Sequence, residues 1–289
     1  MIPVSIDYEK CTGCSLCVQA SPRCFSKDGD KVTPLVDETS CVLCGHCVAV
    51  CPSEAVTHHV MDMGNFPDVG DAPAIDTDDF IRLIRERRSH RAFLNKKIPK
   101  KHLRKLIDTV RYAPTGHNDQ TVEIILVENP ERRKKLSNLA VDFEASVLKE
   151  NEKKLDTMKS SGKGTPAQVA ELEGWVGFLR MLVEMRDAGL DPIFYEASAV
   201  AIFHSPMKSI TPKDNCVIAS TTMGLLARTL GLETTYIALF EAAVKGYKPL
   251  RDELGLPEGH EVLSVIILGY PAVPYLRTVD RKPIKTRWE

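Results

Sequence analysis

The sequence predicts an α+β chain built from a small cysteine-rich domain followed by a larger one in which helices and short strands mix irregularly. Three observations predict it. Eight of the nine cysteines lie within the first 51 residues. A stretch rich in Gly, Pro and Asp, Met61 to Pro73, has no sustained hydrophobic period and reads as a linker. Beyond it, apolar residues recur at helical spacing in some segments and in short β-prone runs in others. At 289 residues, with 43% hydrophobic and 27% charged side chains, the chain exceeds one average domain and can bury a core. The expected division is residues 1–60, a linker at 61–76, and residues 77–289.

The first domain is read from its thiols. Cys41-x2-Cys44-x2-Cys47-x3-Cys51-Pro52 has the bacterial iron–sulfur spacing, in which three thiolates hold one cubane and the fourth reaches a neighbouring cluster. Cys11-x2-Cys14-x2-Cys17 begins the same way, but Ser21 and Pro22 stand where the fourth cysteine and its proline belong, and Cys24 follows. Thiolate sulfur suits iron better than a hydroxyl does, so Cys24 is expected as the displaced crossing ligand. One [4Fe-4S] cluster would then use Cys11, Cys14, Cys17 and Cys51, and the other Cys41, Cys44, Cys47 and Cys24. Ser21 as a ligand, or a three-iron centre, stays open. Structural zinc normally takes two C-x2-C pairs per site, which three evenly spaced cysteines fit less well. The N-terminus, Met1 to Asp7, lacks the basic and apolar regions of an export signal, so a reducing, cytoplasmic setting without disulfides is expected.

In the second domain, Asp76 to Asp79 offers N-cap oxygens ahead of Phe80, Ile81, Leu83 and Ile84, which predicts a short amphipathic helix ending in a basic cluster. A second helix starts near Pro99, carries Leu103, Leu106, Ile107 and Val110, and stops at Pro114. Thr121 to Val127 reads as a strand. Pro130 to about Ala188 reads as two helices broken at Ser160 to Pro166. Ala197 to Phe203 and Val262 to Gly269 are short apolar β-prone runs, and Asn215 to Leu230 is a helix too apolar for the surface.

Charge excludes some functions. The formal net charge of −1 leaves no electrostatic footprint for nucleic acid, and no apolar run approaches the length of a bilayer span. Residues 1–60 hold four Lys or Arg against seven Asp or Glu, a net of −3, so the remainder carries +2. An acidic electron-carrying part can steer toward basic partner surfaces. No Rossmann glycine fingerprint is present, which argues against a dedicated nicotinamide domain.

Arg87-Arg88-Ser89-His90-Arg91 places guanidinium forks, which match phosphate and polar ring oxygens, beside a hydroxyl. Tyr112 to Gln120 is a helix exit rich in small and amide residues, able to meet a flat heteroaromatic ring closely. Together with Leu230-Gly231-Leu232 and Gly269-Tyr270-Pro271, these segments resemble the nitroreductase flavoprotein family from about Thr77 to Glu289. The N-terminal part resembles two-cluster ferredoxins, an arrangement known in ferredoxin-fused nitroreductases. The resemblance implies a three-layer fold with a central, mostly antiparallel sheet flanked by helices.

It also implies that Arg87, Ser89 and Arg91, with Arg88 contributing, grip the ribityl phosphate and pyrimidine edge of FMN. Pro114, Thr115, Gly116 and Asn118 would line the flavin from the second subunit of a homodimer, and Arg281 and Lys282 occupy the place of a further phosphate ligand. Ala238 and Leu239 stand where many members put a glycine or a Glu-Gly pair against the flavin N5 edge, and Thr121-Val122 replaces the frequent Pro-Trp. The expected activity is two-electron reduction of a small organic substrate (nitroaromatic, quinone or activated alkene) by FMN fed with single electrons from the clusters. The donor would be an external ferredoxin, flavodoxin or NAD(P)H. An electron-transfer module that serves only protein partners, reverse flow from an organic donor to the clusters, and a redox sensor are the rival readings. Cys216 is expected in the core, and His58 and His59 are expected at the surface. His117, Tyr195, His204 and Tyr236 are candidate proton donors; the catalytic residue itself is unassigned.

Overall fold

The computed structural model describes residues 2–37, 39–70 and 75–289. Met1, Glu38 and residues 71–74 of the expected linker lie outside the described residues. Chain contacts divide the molecule into two units, Met1–Asp76 with His117–Asp119, and Thr77–Gly116 with Gln120–Glu289.

In the first unit the elements are short because the cysteine-bearing loops interrupt them. They are β1 (Val4–Ile6), α1 (Leu16–Ala20), β2 (Phe25–Asp28), β3 (Lys31–Pro34), α2 (His46–Ala49) and β4 (Val56–His58). β1 pairs antiparallel with β4, and β2 with β3. Strands this short are marginal alone. Their stability comes from one apolar cluster of Val4, Phe25, Val32, Val36 and Val56, with which Cys17, Cys24, Cys41, Cys47 and Cys51 pack. The start of the expected linker is built into this unit, with a 3₁₀ turn at Met63–Asn65 capped by the Asp62 carboxylate.

The second unit runs α3 (Thr77–Glu86), α4 (Lys100–Val110), β5 (Glu123–Val127), α5 (Pro130–Ser161), α6 (Pro166–Asp187), β6 (Ala199–Pro206), α7 (Pro212–Thr229), β7 (Glu233–Tyr236), α8 (Ala238–Gly246), α9 (Lys248–Leu254) and β8 (His260–Gly269). Asn129 caps α5, with Pro130 in its first turn, and Thr165 with Gln168 forms a capping box on α6, so the break at 160–166 falls where the sequence places it. The sheet order is β5-β6-β8-β7, antiparallel throughout. Side chains alternate across it. Val200, Ile202, Val265 and Ile267 meet α5, α8 and α9 on one face, and Ala199, Ala201, Phe203, Ile266 and Leu268 meet α4 and α7 on the other. The three-layer, mostly antiparallel expectation holds, and Cys216 lies in the second of these layers. The tail from Ala272 to Glu289 is exposed, Leu276, Ile284 and Trp288 included.

Candidate functional site

Both Cys-x2-Cys-x2-Cys loops turn through left-handed backbone. Gly13 (φ +68°) and Gly45 (φ +70°) occupy corresponding positions, and a side chain at either would collide, with the Asp30 carbonyl at 2.9 Å or the Phe66 ring at 2.9 Å. These turns bring sulfurs together. Cys11, Cys14, Cys17 and Cys51 line one small cavity with Ile6, Val32, Ala55 and Val56. Burial raises the pKa of Cys17, and the neighbouring Cys51 and Cys14 add to the rise. Cys24 is raised by burial and then by Cys41 and Cys44, while burial, with Cys44 and Cys41 adding, pushes Cys47 up to about 11. Thiols so grouped repel one another when ionised, and iron is the kind of soft-ligated cation that offsets that repulsion. Cys11, Cys14, Cys17 and Cys51 thus share one cavity and Cys24 feels the charge of Cys41 and Cys44, a thiolate donor set suited to iron–sulfur chemistry. Ser21 lines no part of the cavity.

His58 departs from expectation. It is 2% exposed, because β4 carries it inward beside the cysteines. Its Nδ1 accepts from the backbone N–H of Val60 and of Met61, both at 3.2 Å, so the ring proton sits on Nε2, 3.5 Å from Cys41 Sγ. Burial, then His59, lowers its pKa, which keeps the ring neutral. His59 is exposed, as expected.

In the second unit, Arg87 and Arg88 leave the end of α3 and meet Arg281 of the tail in a cleft of about 660 Å³, shared with Ile84, Arg85, Thr278, Val279 and Asp280. Three of the sequence-predicted cations therefore face one space. The run is held there by β7. Ser89 bridges Thr234 in parallel, the His90 N–H donates to the Thr234 carbonyl (3.3 Å), and Thr235 Oγ1 donates to the His90 carbonyl. Ser89 thus sits in the backbone pairing, Arg91 lies over the Tyr195 ring at 5.9 Å, and Lys282 does not line the cleft.

The charge network beneath has no local mark in the sequence. Arg228 at the end of α7 joins Glu86 (2.7 Å) and Glu233, and Glu233 faces His90 Nε2 at 3.6 Å. Burial raises Glu233 against the lowering pull of Arg228, and burial lowers His90, with Arg228 and Arg88 adding to it. Tyr275 packs edge-on against His90, which ties the tail to the arginine run.

The helix-exit residues are placed differently from one another. Thr115 lines a mostly apolar cavity of about 310 Å³ with Ile107, Val110, Ala113, Gln120 and Val122. The Gly116 N–H donates to Asn215 Oδ1 (3.0 Å), and a Cβ there would stand 2.8 Å from both Ile210 and Thr211. Pro114 is exposed. Asn118 belongs to the first unit, where its amide donates to the carbonyls of Val42 (2.8 Å) and Leu43 (3.0 Å). Ala238 and Leu239 open α8, whose first-turn N–H groups lack helical partners. Of the candidate proton donors, His117 groups with the first unit, Tyr195 carries Arg91, Tyr236 bonds Thr221 (2.8 Å), and His204 is buried against His260.

Residues 84–270 match the "Nitroreductase family" model, residues 4–34 a "4Fe-4S single cluster domain" and residues 34–57 a "4Fe-4S binding domain". Over 57 residues the chain is 47% identical to a ferredoxin of Methanothermococcus thermolithotrophicus, covering 19% of this chain and 93% of that protein. A nitroreductase with bound FMN from Bacteroides fragilis superposes with a TM-score of 0.53 at 23% identity, over 72% of this chain and 96% of that one. A nitroreductase with bound FMN from Desulfitobacterium hafniense gives 0.53 at 21%, over 73% and 98%. At these identities the structural likeness is one of fold.

Proposed function

Because this chain belongs to the nitroreductase family and begins with a ferredoxin-type unit, we propose that it is an FMN-dependent oxidoreductase supplied by two [4Fe-4S] clusters. Bound, the clusters would carry single electrons, and the flavin would collect two and deliver them to a small organic substrate such as a nitroaromatic, quinone or activated alkene. The reductant would be an external ferredoxin, flavodoxin or NAD(P)H.

The observation that carries this reading is the convergence of Arg87, Arg88 and Arg281 on one cleft in the same chain that gathers four cysteines around one cavity. In the proposal those three guanidiniums neutralise the FMN phosphate, and the network through Arg228 and Glu233 keeps the run on β7. Ser89, Arg91 and Lys282 complete the phosphate and pyrimidine contacts, for which Arg91 would leave the Tyr195 ring. Ala238 and Leu239 present the first turn of α8 to the N5 edge, where its positive end favours negative charge. Pro114, Thr115, Gly116 and Asn118 are assigned to the flavin of a second copy, and Asn118 would exchange its bonds to Val42 and Leu43. The exposed Leu276, Ile284 and Trp288 of the tail, with Phe80, Ile81 and Ile84 on α3, support a homodimer that covers them. Cys11, Cys14, Cys17 and Cys51 would hold one cluster, and Cys24, Cys41, Cys44 and Cys47 the other.

Anaerobic stopped-flow mixing of the reduced protein with nitroaromatic, quinone and enoate compounds tests the reading. Flavin reoxidation by at least one of them is expected. Reoxidation only by carrier proteins would replace the enzyme with an electron-transfer module.

A further inference from the structure

His204 and His260 are both buried, at 3% and 8% exposure, on the adjacent central strands β6 and β8. Their Nδ1 atoms stand 3.0 Å apart. The carboxylate of Glu123, paired with His204 across β5 and β6, faces both rings, with Oε2 4.0 Å from His204 Nε2 and Oε1 4.0 Å from His260 Nε2. A β-bulge falls between Phe203 and His204, and bulges of this kind re-aim a side chain out of the regular alternation. From these positions we propose that His204, His260 and Glu123 form a binding site for a divalent first-row transition ion such as zinc, separate from the cysteines and the basic cleft.

The spacing argues for it. With metal–nitrogen bonds of about 2.0–2.1 Å, two nitrogens at right angles around an ion stand about 3.0 Å apart, and in a tetrahedron about 3.3 Å. The Nδ1 pair already spans such an edge, and ligand atoms of all three residues lie within 4.8 Å of one another. Two imidazole nitrogens suit the borderline ions of the first transition row better than calcium or magnesium, which prefer all-oxygen shells.

Proton placement points the same way. If one ring donates Nδ1–H to the other, its own Nε2 is left as a bare lone pair facing a carboxylate oxygen, acceptor against acceptor. A metal ion held by both Nδ1 atoms places a proton on each Nε2, so both rings then turn an N–H toward Glu123, the arrangement usual around metal-bound histidines. Glu123 is itself half exposed, which leaves the ion a way in. Once bound, the ion would join β6 and β8 directly and β5 through the Glu123 carboxylate that receives both Nε2–H groups.

The test uses full-length protein with its clusters loaded, so that the cysteines are occupied. Crystals soaked in zinc chloride and measured on both sides of the zinc absorption edge should show an anomalous peak beside both Nδ1 atoms. In solution, chelator competition should count one zinc per chain beyond the iron. His260→Gln should abolish that binding, and Glu123→Gln, an exposed change compatible with folding, should weaken it by roughly 10–100-fold with iron content unchanged. Absence of the peak at the histidines, or equal zinc binding by wild type and both variants, would overturn the proposal. Neither result depends on flavin binding, so failure here and failure of the proposed activity are distinguishable.

Discussion

Replacing His58 by phenylalanine removes a single hydrogen-bond donor from one cysteine sulfur. The ring proton lies on Nε2 because two backbone N–H groups occupy Nδ1, and that proton points at Cys41 Sγ 3.5 Å away. A donor to a ligand sulfur favours the more negative, reduced state of a cluster. Net hydrogen bonds are worth about 0.5–1.5 kcal/mol. If about 1 kcal/mol separates the two redox states, a one-electron couple shifts by about 40 mV, taking 59 mV per 1.4 kcal/mol. On the proposed two-cluster assignment, the expected outcome is a potential lowered by about that amount at the cluster assigned to Cys41, and an unchanged one at the other. Anaerobic redox titration followed by electron paramagnetic resonance reads both. His58→Gln retains an amide donor and should recover most of the shift, which separates the bond from general packing. An unchanged or raised potential in the phenylalanine variant, with full iron content, would refute the reasoning.

Glu144 is 2% exposed and burial pushes its pKa up to about 7. Its unfolded value is near the ordinary 4.5, so the folded state binds the extra proton between these values and stability falls as pH rises through that window. Glu144→Gln should therefore change little at pH 4.5 and stabilise by about 3 kcal/mol above pH 7, as chemical denaturation at the two pH values would reveal; equal effects at both would contradict the assignment. Gly116→Ala forces a methyl group to within 2.8 Å of Ile210 and Thr211 and should cost about 1–3 kcal/mol, measured by thermal unfolding. Arg88→Ala, and separately Arg281→Ala, should each weaken FMN retention by roughly 10-fold or more, from about 1.5–3 kcal/mol for a charged hydrogen bond. Equilibrium dialysis checks this, and wild-type retention in both variants would remove the phosphate from that cleft.

Legibility followed the range of the signal. The break between α5 and α6 was readable because Ser160 to Pro166 combines Gly, Ser and Pro between two helical patterns, and β6 and β8 because buried strands are continuous apolar runs. β7 was not readable. Its residues, Glu-Thr-Thr-Tyr, look like surface, yet Glu233, Thr234 and Thr235 are buried because they pair with β8 and carry the Ser89–His90 backbone. The basic run was visible as chemistry, but its anchor, Arg228 to Glu86 and Glu233, joins segments 142 residues apart in one of its two bonds. His58 and the pair His204 with His260 acquired their meaning only from strand pairing, for which local composition carries no mark. The thiol grouping was the opposite case: the regular cysteine spacing is local and visible in the sequence, and Cys24 feels the charge of Cys41 and Cys44.

The most direct test of the central claim is the cofactor content of the chain purified without oxygen, with iron, acid-labile sulfide, zinc and flavin determined together. About eight irons, eight sulfides and one FMN per chain are predicted, at four irons per cubane. Iron-free protein with zinc at the cysteines, or iron-loaded protein that binds no flavin, would contradict the account.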